Sequence, residues 1–214
     1  MGCSSSKDAH SGPKLAKPAP VEGRTHCGPW LKTCDDLAEW PLFPEAQSGS
    51  LVAKYLDKEI WDEYKDQKDA SGVPFKMCVL SGCQNVDSGI GAYAGSHDSY
   101  KTFNKFFDKV VEHYHKHAPD AQHVSDMDAA SLNAPPLPED EAAMIVSTRI
   151  RVGRNLEGYP LGPGITKQQR DEVMEKVVKA CETFEGDLKG TFYPLATMKP
   201  AEQKQLIEDH FLFK

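Results

Sequence analysis

Polar and apolar side chains alternate along the stretch MIVSTRIRVGR, residues 144–154. In an extended strand, Ser147, Arg149 and Arg151 would point to one face, and the opposite face would be largely apolar. Alternate side chains on a strand stand about 6.6 Å apart, so the two arginines can bind neighbouring anionic groups of one ligand. A guanidinium suits phosphate because its donors form a flat fork and its charge does not titrate. The pattern predicts a strand that binds a polyphosphate; an edge strand with solvated arginines is the alternative.

The loop SGCQNVDSGIGAYAGSHDSY, residues 81–100, is a second candidate for binding. Its glycines let the backbone approach a ligand closely and direct N–H groups toward an anion. Tyr93, in the middle of the loop, adds a hydroxyl and an aromatic face. A flexible surface loop without a ligand has the same composition, so the loop alone leaves both interpretations open.

The histidines and cysteines do not form a recognisable metal motif. His113, His115 and His117 alternate along a predicted helix, and alternate helix positions do not share a face. The six cysteines include no CxxC pair, and none is spaced with histidine as in a zinc finger. We therefore predict no metal site, and we predict reduced thiols in a cytoplasmic protein.

The charge of the chain limits the classes of partner. The 214 residues carry a formal net charge of −7, which argues against general nucleic-acid binding because that function requires a basic surface. An anion site must then be local. The sequence holds no run of residues long and apolar enough for a membrane span or a secretory signal.

The N-terminal residues MGCSSSK match the pattern for acylation. Gly2 follows the initiator methionine, and Ser6 occupies the position that a myristoyl transferase recognises. Cys3 could take a palmitoyl chain, and two acyl chains hold a protein at a membrane stably whereas one does not. We expect acylation and membrane association; a disordered polar tail that begins with Met-Gly is the alternative.

Composition and periodicity divide the chain into four segments. Residues 1–46 predict a flexible, acylated tail, with an ordered patch near residues 30–40. Helical periodicity in residues 47–117 predicts a small all-α domain. Prolines and an acidic run make residues 118–142 typical of a linker. Residues 143–214 predict the start of a domain that contains both strands and helices.

Local signals place the elements of the last segment. The alternating stretch at residues 144–154 predicts one strand, and GTFYPL at residues 190–195 predicts a second, short one. Thr166 and Gln169 match a capping box and predict the start of a helix. Pro200 is suited to the first turn of a last helix.

The sequence order resembles that of a known family. The pieces are LVAKYL, SGCQNVDSGIGAYA, VSTRIRVGRNLEGYP, LKGTFYPL and LIEDHFLFK. In this order, over about residues 48–214, they resemble the phosphagen kinases of the arginine kinase type, which are ATP:guanidino phosphotransferases. The resemblance implies an α+β fold, with a small helical N-terminal domain followed by the first part of an antiparallel-sheet domain flanked by helices. It also implies reversible transfer of the γ-phosphoryl group of MgATP to a guanidino group, which buffers ATP.

The resemblance implies two groups of binding residues. ATP or ADP, with Mg²⁺ bound through the phosphates, would contact Ser147, Thr148, Arg149, Ile150, Arg151 and His210. The guanidino substrate would contact Ser88, Gly89, Ile90, Gly91, Ala92 and Tyr93. Backbone donors would hold its carboxylate, and Tyr93 would help select its length. The family's catalytic carboxylates and reactive cysteine lie beyond a segment like HFLFK, so no residue is assigned as catalytic and we expect the chain alone to be inactive.

Several functional alternatives stay open. The short SGIGAYA loop favours L-arginine over creatine, but taurocyamine-using members can keep a similar loop. A truncated chain of this kind can also serve as a non-catalytic, membrane-tethered binding module. A bacterial-type protein-arginine kinase is disfavoured because the helical domain and the SGIGAYA loop are present. An acylated kinase would act at a membrane where ATP is consumed, such as a cilium or flagellum.

Overall fold

The computed structural model describes most of the chain. The described residues are 16–47, 49–132, 135–148 and 150–212. The predicted acylation sites Gly2 and Cys3 and the predicted phosphate ligand Arg149 lie outside the described residues.

Two compact units make up the chain, Met1–Ile165 and Thr166–Lys214. Among the described residues, the first unit contains two strands and six α-helices, and the second unit contains two α-helices. In chain order the elements are β1 Arg24–His26, β2 Trp40–Leu42, α1 Leu51–Tyr55, α2 Lys58–Tyr64, α3 Phe75–Gln84, α4 Ser99–Thr102, α5 Asn104–His115, α6 Glu139–Ala142, α7 Lys167–Glu182 and α8 Pro200–Glu208. Short 3₁₀ turns lie at Glu45–Gln47, Ala129–Ser131 and Gly186–Leu188.

The prediction of a flexible tail over residues 1–46 is wrong for the part that contains β1 and β2. These strands pair in parallel, with Thr25 opposite Pro41, and parallel pairing requires a crossover of about a dozen or more residues. That crossover places Leu31 and Leu37 in the core, at 3% and 0% exposure. The segment is ordered because burial of its apolar side chains offsets the entropy of ordering the chain.

The predicted helical run at the start of the helical domain forms two helices. Leu51, Ile60 and Tyr64 are buried as their spacing predicts. However, a separate helix, α2, starts after its N-cap residue Asp57. The Asp57 side chain accepts a hydrogen bond from the N–H of Ile60 at 2.8 Å. An aspartate in this position satisfies a donor that the helix itself cannot, and so it fixes a new helix start.

Aromatic rings from three elements form the centre of the first unit. Phe75 on α3 lies 5.1 Å from the ring of Phe103 and 5.5 Å from that of Phe106, both in edge-to-face geometry. Tyr64 of α2 packs on Phe75 at 5.4 Å. The predicted helices after Pro74 and around Phe106 are confirmed as α3 and α5. This core holds the Gly-rich loop between α3 and α4.

The α+β class is confirmed, but the two strands predicted for residues 143–214 are absent from its described residues. The predicted inward face of residues 144–154 is exposed, with Val146 at 98% and Val152 at 82%. The stretch at residues 190–195 is likewise irregular, and Leu195 is 74% exposed. Alternation predicts which way side chains point, but a strand also requires a neighbour to bond its N–H and C=O groups. No neighbouring strand pairs with these stretches in the described part of the chain.

The second unit confirms the predicted helices. The Thr166 hydroxyl accepts a hydrogen bond from the Gln169 N–H at 3.2 Å, and the Gln169 side chain accepts one from the Thr166 N–H at 2.9 Å. This reciprocal capping box starts α7 where the sequence predicts it. Pro200 occupies the first turn of α8.

Candidate functional site

Two backbone hydrogen bonds fix the Gly-rich loop to the beginning of α1. The N–H of Leu51 donates to the carbonyl of Gly89 at 3.0 Å, and the N–H of Val52 donates to that of Ile90 at 2.9 Å. The first N–H groups of a helix have no partner within the helix, so the loop satisfies them. The carbonyls of the loop therefore point toward α1.

Two glycines cross where the loop passes over α3. Gly91 has a φ of 73°, a backbone conformation that favours glycine. A Cβ at Gly91 would lie 2.5 Å from Val52 Cγ1, and a Cβ at Gly82 would meet the Gly91 carbonyl oxygen. Just beyond the crossing, the N–H of Tyr93 donates to the Cys78 carbonyl at 2.8 Å. The close contact explains why glycine occupies both positions and holds the loop in one conformation.

The loop forms one wall of an open groove of about 470 Å³. Five of the six predicted substrate residues line it; Ala92 does not. The lining residues are Leu51, Ser88, Gly89, Ile90, Gly91, Tyr93, His113 and Tyr114. Tyr93 is 53% exposed, so its phenol can contact a ligand that enters the groove. A groove of loop backbone donors and two phenols, those of Tyr93 and Tyr114, suits a small polar ligand with an anionic end.

His113 of α5 lies at the edge of this groove and was not singled out as a binding residue from the sequence. Its Nδ1 lies 2.8 Å from the Tyr55 hydroxyl and 3.4 Å from Lys54 Nζ. Burial, followed by the charges of Lys54 and Lys116, lowers the pKa of His113. We therefore expect a neutral imidazole at neutral pH.

Gln47 supports the loop from inside the core and was also missed. Its side chain is 2% exposed, and its Nε2 donates to the carbonyl of Gly82 at 2.5 Å and to that of Asn85 at 3.4 Å. Those carbonyls lie at the end of α3, where the loop begins. A single glutamine in a stretch without periodicity carries no sequence signal for this role.

A buried carboxylate at the other end of the loop was missed as well. Asp69, at 5% exposure, accepts hydrogen bonds from the hydroxyls of Ser96 at 2.7 Å and Ser99 at 2.5 Å. Ser96 and Ser99 follow a glycine-rich loop, and serines in such a position are common turn residues. Nothing in the sequence pairs it with an aspartate so far away along the chain.

The predicted nucleotide residues belong to two different units. Ser147, Thr148, Ile150 and Arg151 lie in the first unit and are exposed. His210 lies in the second, after α8, with a φ of 63° and an exposed side chain. The hydroxyls of Ser147 and Thr148 and the guanidinium of Arg151 are a donor set that fits phosphate oxygens.

No cluster of three or more metal-ligating side chains is found among the described residues. The same part of the chain contains no helix that is long and apolar enough to cross a membrane.

Cys78 and Cys83 in the first unit are buried and poor nucleophiles. Burial raises the pKa of Cys78 to about 11, and contact with Cys27 followed by burial raises the pKa of Cys83. Cys181 of α7 is exposed.

We expect an aromatic disulfide reagent at pH 8 to label Cys181 rapidly and Cys78 at least about 100-fold more slowly, because the thiolate is the reactive form. Peptide mapping by mass spectrometry measures both rates. Equal rates in the folded chain would contradict the burial of Cys78, and labelling in denaturant is the control.

Comparison with known proteins identifies the family. Residues 46–112 match the model of the ATP:guanido phosphotransferase N-terminal domain, and residues 172–214 match that of the C-terminal catalytic domain. The chain therefore belongs to the ATP:guanidino phosphotransferase family, the phosphagen kinases, as the sequence motifs indicated.

Arginine kinases are among its curated relatives. The chain is 44% identical over 178 residues to an arginine kinase of Anthopleura japonica, covering 81% of this chain and 25% of that protein. It is 39% identical over 165 residues to the arginine kinase Lit v 2 of Penaeus vannamei, covering 77% of this chain and 46% of that protein. The chain thus spans less than half the length of these relatives.

Solved structures of other phosphagen kinases share the fold. The duplicated taurocyamine kinase of Schistosoma mansoni, with bound transition-state analogue components, matches at 33% identity and a TM-score of 0.68. The match covers 79% of this chain and 24% of that one. Lombricine kinase matches at 30% identity and a TM-score of 0.60, over 81% of this chain and 48% of that one.

Proposed function

We propose that this chain forms part of an enzyme that transfers the γ-phosphoryl group of MgATP reversibly to the guanidino group of L-arginine. The observation that carries the proposal is the groove bounded by the loop at residues 88–93, with Tyr93 half-exposed beside backbone donors. The arginine kinases among its relatives support the choice of substrate.

In this proposal the loop binds the end of the substrate that does not react. Backbone N–H groups of Gly89, Ile90, Gly91 and Ala92 supply donors for the carboxylate of L-arginine. The phenol of Tyr93 limits the length of the chain between carboxylate and guanidinium. Phosphoryl transfer depends on alignment more than on covalent chemistry, so a loop that fixes one end of the substrate contributes directly to the rate.

The nucleotide would bind at the polar segment that contains Ser147 and Thr148. Arg149 and Arg151 would bind phosphate oxygens of ATP, with Ser147 and Thr148 as further donors. Mg²⁺ would be held through those phosphates. The guanidiniums would neutralise the charge that spreads over the transferring group.

Taurocyamine is the second candidate substrate, because one structural neighbour is a taurocyamine kinase. Its sulfonate can accept the same backbone donors as a carboxylate. Competition between the two guanidino compounds for the loop, followed by amide chemical shifts of residues 88–93, distinguishes them. Tighter binding of taurocyamine than of L-arginine would reassign the substrate.

We further propose that Gly2 is myristoylated and Cys3 palmitoylated, which would place a cytoplasmic kinase at a membrane such as that of a cilium or flagellum. Metabolic labelling with alkyne analogues of both fatty acids measures this. Gly2→Ala is expected to abolish myristate incorporation, and Cys3→Ser only palmitate incorporation. Labelling that persists in Gly2→Ala would refute the assignment.

We expect the 214-residue chain alone to show no significant phosphotransfer, because it spans less than half the length of the arginine kinases that it matches. A coupled assay with ATP, L-arginine and Mg²⁺ measures this, and an intact arginine kinase is the positive control. Turnover close to that of the control would contradict the expectation. Absence of both turnover and L-arginine binding would instead favour the alternative of a non-catalytic, membrane-tethered module, for which the exposed side chains of Val146, Ile150 and Val152 are the supporting observation.

A further inference from the structure

We infer that Asp69 is a positioning residue for the substrate loop, acting through Ser96, Ser99 and the backbone of Gly95. The inference rests on the proposed function in that it takes residues 88–93 as the substrate-binding part of the loop. Asp69 itself lies in the turn before α3 and is not one of the residues that line the groove.

The carboxylate of Asp69 is buried and bonded to neutral donors on both oxygens. Oδ1 accepts from the N–H groups of Ser71 at 3.0 Å and Val73 at 2.9 Å. Oδ2 accepts from the hydroxyls of Ser96 at 2.7 Å and Ser99 at 2.5 Å. Burial raises the pKa of Asp69, but these four hydrogen bonds together lower it below its usual value. The carboxylate of Asp69 is therefore an anion held by donors from the turn and from the loop.

The two serines transmit this contact to the end of the loop. The hydroxyl oxygen of Ser99 accepts from the N–H groups of Gly95 at 3.1 Å and Ser96 at 3.0 Å. The carboxylate of Asp69 orients the Ser99 hydroxyl because it accepts a hydrogen bond from the O–H. The lone pairs of the hydroxyl oxygen then remain free for the two N–H groups. Gly95 lies two residues after Tyr93, so its position sets where the substrate-binding part of the loop ends.

The same junction ties the loop to a connector at residues 158–164, which follows the segment predicted to bind phosphate. The N–H of Leu161 donates to the Gly95 carbonyl at 2.9 Å. A Cβ at Gly164 would meet that carbonyl and would lie 2.7 Å from Val73 Cγ2, and a Cβ at Gly95 would meet Val73. Val73 is the residue whose N–H binds Asp69. The turn, the loop and the connector therefore form one packed junction with Asp69 at its centre.

The inference is tested by hydrogen exchange of the intact chain and of Asp69→Asn. The asparagine keeps the shape but offers the serines a neutral acceptor and removes the charge from the hydrogen bonds. We expect the amides of Gly95, Ser96 and Leu161 to exchange about 10- to 100-fold faster, since hydrogen bonds to charged groups are the stronger ones. Amides in the core, such as those of Val79 and Val110, should change less than about threefold.

Asp36→Asn is the matched control. Asp36 also accepts backbone N–H groups in a turn, from Lys32 and Thr33, each at 2.8 Å, but it has no contact with the loop. It should leave exchange at Gly95 and Leu161 unchanged. Uniform acceleration of all amides in Asp69→Asn, or none at Gly95 and Leu161, would overturn the inference. If Asp69→Asn does not fold, Ser96→Ala removes one donor only and is expected to accelerate the same amides by a smaller factor.

The Kd for L-arginine is the second readout, and a purely structural role of Asp69 would leave it unchanged. We expect Asp69→Asn to raise the Kd for L-arginine about tenfold by calorimetry, while Asp36→Asn leaves it unchanged. Local exchange changes with an unchanged Kd would also overturn a positioning role. If the unmodified chain fails to bind L-arginine, the proposed function fails, whereas the exchange experiment still decides whether Asp69 anchors the loop.

Discussion

Replacing Arg151 by alanine is expected to lower kcat about 10²- to 10³-fold in an active form of this protein. A suitable form is a chimera in which the 214 residues of this chain replace the matching part of the Anthopleura japonica arginine kinase, which is 44% identical to it. The loss follows because a guanidinium fixed at the phosphates stabilises charge that develops in the transition state. Arg151→Lys should recover only part of the rate, since an ammonium lacks the flat fork of donors.

Arg154→Ala is the control for that experiment. Arg154 is close in sequence, but its side chain donates to the carbonyl of Gly153 at 2.7 Å, and in an extended segment it points to the face opposite Arg151. We expect its kcat to stay within about threefold of the parent. A stopped-flow or coupled assay at saturating MgATP and L-arginine gives both values. Equal losses in Arg151→Ala and Arg154→Ala would show that the segment tolerates no change and would contradict a specific role for Arg151.

Replacing Gly91 by alanine is expected to destabilise the first unit by about 2–5 kcal/mol. The left-handed φ of 73° costs a residue with a Cβ about 1–2 kcal/mol. Overpacking against Val52 Cγ1, 2.5 Å from the new Cβ, adds about 1–3 kcal/mol. Thermal unfolding measures the change, and each 1 kcal/mol corresponds to about 2–4 °C in Tm for a domain of this size.

Gly89→Ala provides the matched comparison in the same loop. A Cβ at Gly89 meets nothing within 4 Å, and its φ lies outside the left-handed range. Its stability should therefore change by no more than about 0.5 kcal/mol. Gly82→Ala adds a Cβ at the same crossing, on the α3 side. The losses of stability in Gly82→Ala and Gly91→Ala should therefore not be additive. A Gly91→Ala chain that melts with the parent would refute the packed crossing.

Local signals in the sequence predicted the elements that local interactions determine. The capping box of Thr166 and Gln169, the proline at the start of α8 and the amphipathic spacing of α5 each involve residues within a few positions of one another. Such contacts are encoded where they occur. The Gly-rich loop was located for the same reason, because its glycines and Tyr93 are adjacent in the sequence.

Elements that depend on distant residues were not predictable in this way. The β1–β2 pair lies in a stretch without periodicity and is held by contacts such as Arg24 over the Trp40 ring at 3.8 Å. The bonds of Asp69 to Ser96 and Ser99 join positions far apart in the chain. Conversely, residues 144–154 have the right alternation for a strand but no paired neighbour in the described part of the chain.

The most direct test of the central claim is a titration of the same chimera with MgADP, followed by the Nε–Hε resonances of its arginine side chains. We expect saturable shifts for Arg149 and Arg151 with one common Kd, and none for Arg154. If both Arg149 and Arg151 stay unshifted while MgADP binds, the proposal that this segment holds the nucleotide phosphates is contradicted.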